Sequence, residues 1–329
     1  MSKVSFLLSW RTLALTLAII NLKALPFSWH LRLFYRMFRN WHRLSSVQQA
    51  LRAHSESDST HPIFAPVSIF SRTPLLETDY NLHKSNSTYF SDLDESRTAL
   101  VTKIYGPGLK QGDKNLAREG HKGHISVILG SVHTSFHKEI KPYEKYELRS
   151  RILTWDRKWL VIATFFIRPA ANGKEEVLLA SALSKYVVKK GRFTVSPERC
   201  LTTAGWLPPK PADCVSGAGQ SWESSASDTP VLVEPAMGSS PASRTPEPEG
   251  VVAPTPEGAA DATSAGVEKL ESAIKSAAVE RSNAVLPLTG RGAGGWDWHR
   301  IEMERVRGLQ LAANWLALDK ELMGEFGHR

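Results

Sequence analysis

The chain has 329 residues, 42% of them hydrophobic, which is ordinary for a globular protein and enough for one generous domain or two small ones. Its net charge of +8 does not make a nucleic-acid face: eight cations precede the first acid, Glu56, and the remaining 33 Lys and Arg match the 33 Asp and Glu. Cys200 and Cys214 are the only cysteines, too few for a disulfide framework and not spaced as a Cys-x-x-Cys metal or redox pair, so they read as free thiols in a reducing compartment.

Residues 4–22 are mostly apolar, but Arg11 interrupts them and Lys23 ends them, leaving an uncharged run of 11 residues from Thr12 to Leu22. That run is shorter than the ~20 residues a spanning helix needs. The whole of 4–22 just spans if Arg11 snorkels to one surface, at about 2.5–3.5 kcal/mol or less. Residues 26–44 then interleave Phe27, Trp29, Phe34, Tyr35, Phe38 and Trp41 with four arginines, as an interfacial helix on an anionic leaflet does. A secretory signal is disfavoured because no small-x-small cleavage site follows. A buried core helix is the plain alternative to membrane anchoring by residues 1–47, the favoured reading. Arginines following the apolar stretch place the folded part on the cytosolic side.

Residues 48–61 are polar and turn-rich, as a linker is. Residues 62–73 predict a strand through Ile63, Phe64, Val67, Ile69 and Phe70, confined to an edge by Pro66. A polar loop, 77–85, leads to Asn86, an N-cap candidate. Beyond it Phe90, Leu93, Arg97, Leu100 and Ile104 recur at helical spacing, with no Gly or Pro from Ser87 to Val101. The loop therefore feeds the positive end of a helix dipole, where free N–H groups suit a carbonyl gaining negative charge. Residues 105–123, rich in Gly, Lys and Asp, predict a connecting excursion.

Strands follow at 125–136, 145–155, 159–167 and 177–188. The first changes parity at Gly130, which predicts a β-bulge there. The second alternates Tyr146, Leu148, Ser150 and Ile152 with Glu147, Arg149 and Arg151. The third is apolar on both parities and should be central. Asn172-Gly173 signals a hairpin before the fourth, and 193–211 reads as a terminal extended segment. One helix, four antiparallel strands and an edge strand fit an α+β sheet wrapped around a helix, although spacing alone admits other α+β arrangements. From about 212 to 265 the Pro-, Ser-, Ala-, Gly- and Glu-rich composition predicts a disordered tether. Residues 266–329 predict a helical C-terminal segment, weakly periodic over 267–285 and stronger over 296–326. Its stripe of Val306, Leu309, Ala313 and Leu316 docks either on its own domain or on a partner.

The order Asp79-x-Asn81-x-His83-x-x-Asn86-x-Thr88-Tyr89, with Glu95-Ser96 six and seven residues beyond the Tyr, resembles the active-site segment of hotdog-fold thioesterases. The likeness is to the 4-hydroxybenzoyl-CoA and plant acyl-carrier-protein types. The overall plan is similar to the membrane-anchored thioesterase superfamily member six type; the resemblance covers about residues 60–208, within a domain expected at 60–211. Those families carry an apolar residue and Asn after the His, where this chain has Lys84 and Ser85. The resemblance implies a hotdog fold, acyl-CoA or acyl-carrier-protein substrates, no cofactor, and a homodimer in which a helix acid of one subunit serves the site of the other. It also favours docking of the C-terminal helix on its own domain.

Thioester hydrolysis needs a base or nucleophile and donors for the oxyanion. Asp79 is the candidate base or nucleophile, although an Asp in such a loop is more commonly the acceptor of an Asx-turn. Asn81 and His83 alternate with it, so an extended backbone would aim all three to one side. Glu95 is the second acid, on a helix side shared with Thr88, Asp92, Ser96 and Ala99 that lines a pocket or faces water. Asn86, Ser87, Thr88 and Tyr89 are the substrate-binding candidates, the amides of 86–88 as oxyanion donors and Tyr89 chiefly as packing. Asp94 and Arg97 read as a solvated i,i+3 pair. His121, His124, His133 and His137 lie near one another in sequence but match no metal-ligand pattern. Two functions fit: a membrane-tethered acyl thioesterase, or a non-catalytic hotdog module binding acyl groups or a protein partner at a membrane.

Overall fold

The apolar run Trp159–Arg168 (β4) sits between two strands that cover it on both edges, and the sheet grows outward from it. Lys145–Trp155 (β3) and Val67–Arg72 (β1) lie on one side, Val177–Lys190 (β5) and Ile125–Phe136 (β2) on the other. The order is β1-β3-β4-β5-β2, all antiparallel, with Phe193–Val195 (β6) added to β5. The computed structural model describes residues 9–55, 60–171, 173, 175–211 and 296–327. The tether at 212–265, the weak helix at 267–285, Cys214 and Asn172 lie outside the described residues.

The sheet wraps one long helix, Asn86–Arg118 (α4 in chain order), which is the hotdog arrangement the motif implied. Leu93, Leu100 and Ile104 are wholly buried against Leu148, Ile152, Ile162 and Phe166, as helical spacing required. Phe90, expected on that face, is instead 42% exposed, and Tyr89 takes the inward position. The helix caps on Ser85, one residue before the expected Asn86, and does not stop near residue 104. It continues through Gly106-Pro107-Gly108 to Arg118, so no excursion occupies 105–118. Packing overrides propensity there: Tyr105 and Leu116 belong to the core, and a Cβ at Gly108 would fall 2.5 Å from the amide nitrogen of Ala204.

The expected bulge is present. The β2–β5 register shifts between Leu129 and Ser131, and a Cβ on Gly130 would meet the Trp159 ring at 2.5 Å. The segment 193–211 is not simply extended. After β6, Ser196 caps Pro197–Thr203 (α5) by accepting from the Arg199 amide, and Trp206 is buried with its indole N–H donating to the Ile104 carbonyl at 2.7 Å.

Among the described residues three α-helices precede the sheet: Trp10–Ile20 (α1), Ser28–Arg39 (α2) and Leu44–Ser55 (α3). The last replaces most of the expected linker, because Val47 enters the core beside Leu201 and Trp206. α2 lies along α4. Among the described residues no helix is long and apolar enough to cross a membrane. At the other end, Trp298–Gly327 (α6) packs on β3: Ile301 joins the core cluster that holds Leu100 and Ile104, Ala312 is buried with Leu153, Val161 and Ala163 on the sheet face opposite α4, and Thr154 donates its hydroxyl to the Arg305 carbonyl at 2.7 Å. The buried stripe runs through Ile301, Gly308 and Ala312. It is rotated from the expected one, since Val306 and Ala313 are exposed.

Candidate active site

The loop before α4 is a closed turn. Thr78 and Lys84 pair as an isolated antiparallel bridge, Asp79 N–H donates to the His83 carbonyl (2.9 Å), and Leu82 N–H to the Asp79 carbonyl (3.1 Å). Leu82 takes φ +58°, the left-handed conformation that lets so short a turn close. The expected extended alternation of Asp79, Asn81 and His83 therefore does not form. Closure brings Asp79 and His83 face to face, with Asp79 Oδ2 3.3 Å from His83 Nδ1, and leaves the Asn81 side chain exposed at the tip. Asp79 Oδ1 accepts from the Asn81 amide at 2.9 Å. Asp79 is thus both an Asx-turn acceptor and the partner of an imidazole, about a quarter exposed.

The turn runs directly into α4. Ser85 makes no side-chain bond to the helix amides; its hydroxyl meets that of Ser87 at 3.1 Å. The Thr88 amide and hydroxyl both donate to the Ser85 carbonyl. No hydrogen bond among those of the described residues uses the amides of Asn86 or Ser87, so two donors at the positive end of the dipole stay available to a ligand. Tyr89 is packing: it is buried, its ring centroid lies 4.9 Å from those of Phe136 and Phe166, and burial pushes its hydroxyl up to about 12.

Glu95 is elsewhere. It neither faces water nor joins Asp79; Arg32 (2.7 Å) and Arg36 (3.0 Å) of α2 hold it, buried. Asp94 and Arg97 do pair as expected, at 2.5 Å, but the pair is solvated only on the Asp94 side. Arg97 is 1% exposed and donates to Ser184 Oγ at 2.8 Å, beside the buried chain Ser96–Ser150–Thr164, whose hydroxyls are 2.6 and 2.7 Å apart.

Sequence reasoning missed the support beneath the loop. Of Lys84 and Ser85, which depart from the motif, Ser85 occupies the N-cap position of α4 with its carbonyl accepting from Thr88, and Lys84 turns inward. Lys84 Nζ lies 2.8 Å from Glu77 Oε2 and 2.9 Å from Asp92 Oδ2, and Lys23, arriving from the N-terminal segment, contacts the same two acids at 2.7 and 2.8 Å. Tyr146 donates its hydroxyl to Asp92. Burial alone would raise the Asp92 carboxyl, but Lys23 and Lys84 outweigh it and hold it below its ordinary value. Burial likewise drives Tyr146 well above the usual phenol range, so it remains a donor. The backbone closes the same turn: Ser85 N–H donates to the Glu77 carbonyl (2.8 Å), tying its two ends together, and Lys84 N–H donates to the Ile140 carbonyl (2.8 Å).

Among the described residues no three His, Cys, Asp or Glu side chains converge as a metal site requires. His137 contacts Ser181 Oγ at 2.9 Å, and His121 stacks on Phe193 with centroids 3.8 Å apart. Cys200 is a free thiol pushed up to about 11 by burial.

Residues 73–196 match the thioesterase-like superfamily. The chain is 42% identical over 231 residues to "Thioesterase lcsJ" of Purpureocillium lilacinum, an alignment covering 63% of this chain and 74% of that one. It is 34% identical over 220 residues to "Thioesterase poxG" of Penicillium oxalicum, covering 60% and 71%. Among solved structures it is similar to 4-hydroxybenzoyl CoA thioesterase from Pseudomonas sp. strain CBS-3, with 17% identity, a TM-score of 0.33, and coverage of 42% of this chain and 99% of that one.

Proposed function

The chain belongs to the thioesterase-like superfamily, and from that premise we propose that it hydrolyses acyl thioesters of coenzyme A or of a carrier protein at the Asp79 turn. The observation that carries this reading is the Asp79 carboxylate, 3.3 Å from His83, in a turn that leads directly into α4, where no hydrogen bond among the described residues uses the amides of Asn86 and Ser87. Asp79 takes a proton from water, or attacks the carbonyl itself, and His83 orients it and shares the proton. The oxyanion accepts from the two amides, and the thiolate leaves and is protonated from the same pair. Asn81, at the exposed tip, is placed to meet substrate rather than to tune Asp79.

We further propose a homodimer. β2 pairs with β5 alone among the described residues and exposes Ile128, Leu129 and Phe136 along or beside its free edge, a surface suited to a second copy. Glu95 in this reading is structural in its own subunit. We also propose association with a membrane, supported by the exposed apolar side chains of the N-terminal segment, Trp10, Leu13, Phe27, Leu31 and Phe38, each at least two-thirds exposed; the arginines that follow the apolar stretch favour the cytosolic side for the domain. A run of exposed apolar side chains flanked by arginines fits helices lying on the surface rather than crossing it.

The test is thiol release by the full chain across coenzyme A and carrier-linked acyl thioesters, with Asp79→Ala alongside. Turnover that depends on Asp79 supports the reading. A second reading, an acyl-binding module without turnover, draws on the engagement of Glu95 by Arg32 and Arg36, and it prevails if acyl thioesters bind saturably and are never cleaved.

A further inference from the structure

A cleft of about 540 Å³ runs between the N-terminal helices and the edge of β1, and neither Asp79, His83 nor the start of α4 lines it. Its charged walls are Lys23, Arg32, Arg36, Arg72 and Lys145 against one acid, Glu95, which Arg32 and Arg36 already neutralise. Its apolar walls are Ile19, Ile20, Leu22 and Phe70, all more than 40% exposed.

Two of these cations are unbalanced. Arg72 and Lys145 stand directly opposite each other in the β1–β3 register, a like-charge pair that weakens a sheet unless an anion sits over it. Neither meets a carboxylate among the described residues: Arg72 donates only to the Tyr143 carbonyl at 3.3 Å, and Lys145 Nζ rests 4.5 Å above the Phe70 ring. Arg32 Nε, in the same wall, is buried without an acceptor.

We propose that this cleft binds an amphiphile bearing a phosphate head and an alkyl chain, the phosphate over Arg72 and Lys145 and the chain along Ile19, Ile20, Leu22 and Phe70. A phosphate carries up to about two charges and three strong acceptor oxygens, enough to answer both cations, where a carboxylate answers one. A bilayer phospholipid and a soluble alkyl phosphate share this chemistry. The site is independent of the proposed reaction.

The test titrates the full chain with dodecyl phosphate and, separately, sediments it with phosphatidylcholine vesicles with and without phosphatidic acid. The comparison variant is Arg72→Gln/Lys145→Gln, whose two positions are exposed and whose change relieves a repulsion, so it folds. Removing two cations weakens binding of the phosphate-bearing probe roughly thirtyfold. A loss confined to the vesicles assigns a bilayer lipid; a loss seen with dodecyl phosphate assigns a soluble amphiphile. Equal binding of dodecyl maltoside or of pure phosphatidylcholine, unchanged binding by the double variant, or no binding to either phosphate probe overturns the proposal.

Discussion

Lys84 Nζ lies 2.9 Å from Asp92 Oδ2, and both side chains are sealed from solvent. One belongs to the loop that carries Asp79, the other to the helix whose first amides face that loop. Their ion pair, with Glu77 and Lys23 closing the cluster, fixes the turn relative to the helix dipole before any substrate arrives.

Breaking this cluster on one side leaves a buried carboxylate without its partner, which costs about 3–5 kcal/mol, whereas intact buried pairs contribute far less than that. Lys84→Met should therefore lower the melting temperature by roughly 6 °C or more for a fold of this size. Differential scanning calorimetry reads this directly, and an unchanged transition would show that Lys23 alone satisfies Glu77 and Asp92.

Acid should unfold the protein partly through Asp92. Its folded-state carboxyl titrates below the ordinary value of 3.8, so its stabilisation is fully present above about pH 4 and is lost as pH falls through the lower folded value. Melting temperatures of the wild type should drop steeply below pH 4, and those of Asp92→Asn, lower at neutral pH, should drop less over the same interval. Parallel curves would assign acid sensitivity to other carboxylates.

The α2–α4 contact can be dissected by charge. In Arg32→Met/Arg36→Met the Glu95 carboxylate is left buried among apolar groups and the domain loses stability, while adding Glu95→Gln to that background restores most of it. Urea midpoints of these two variants, the wild type and Glu95→Gln alone form the cycle, and the absence of rescue would mean that the arginines act by packing.

Gly308 sets the approach of α6 to the sheet. A Cβ there would fall 2.1 Å from the Leu153 carbonyl oxygen, so Gly308→Ala must lift the helix from Leu153, Val161 and Ala163. A cost of about 1–3 kcal/mol follows. Hydrogen exchange across β3 and β4 should rise in Gly308→Ala and stay at the wild-type level in Gln310→Ala, an exposed position of the same helix. Equal exchange in the two variants would mean that α6 yields at this point without leaving the sheet.

Much of the hotdog framework was legible because alternation fixes strands: β3 and the Gly130 bulge fall where the pattern put them. The helix length was not, because Gly106-Pro107-Gly108 reads as a break until Ala204 packs against it. Asp79 and His83 were legible as a pair of chemical types, but their contact arises from a turn closed by Leu82 at φ +58°, not from strand alternation. The ion cluster was hidden because its members come from distant segments: Lys23, Glu77, Lys84, Asp92 and Tyr146 converge only in the fold. Lys84 was the available signal, since a lysine where the motif carries an apolar residue is either exposed or paired within.

In the proposed reaction it is the Asp79 charge, rather than its hydrogen-bonding shape, that drives thioester cleavage. Asp79→Asn isolates that charge, because the Asn carbonyl still accepts from the Asn81 amide and preserves the turn. Thiol-release kcat for this variant should fall about 10²–10⁴-fold, with the melting temperature unchanged. A wild-type kcat in Asp79→Asn would remove Asp79 from the chemistry.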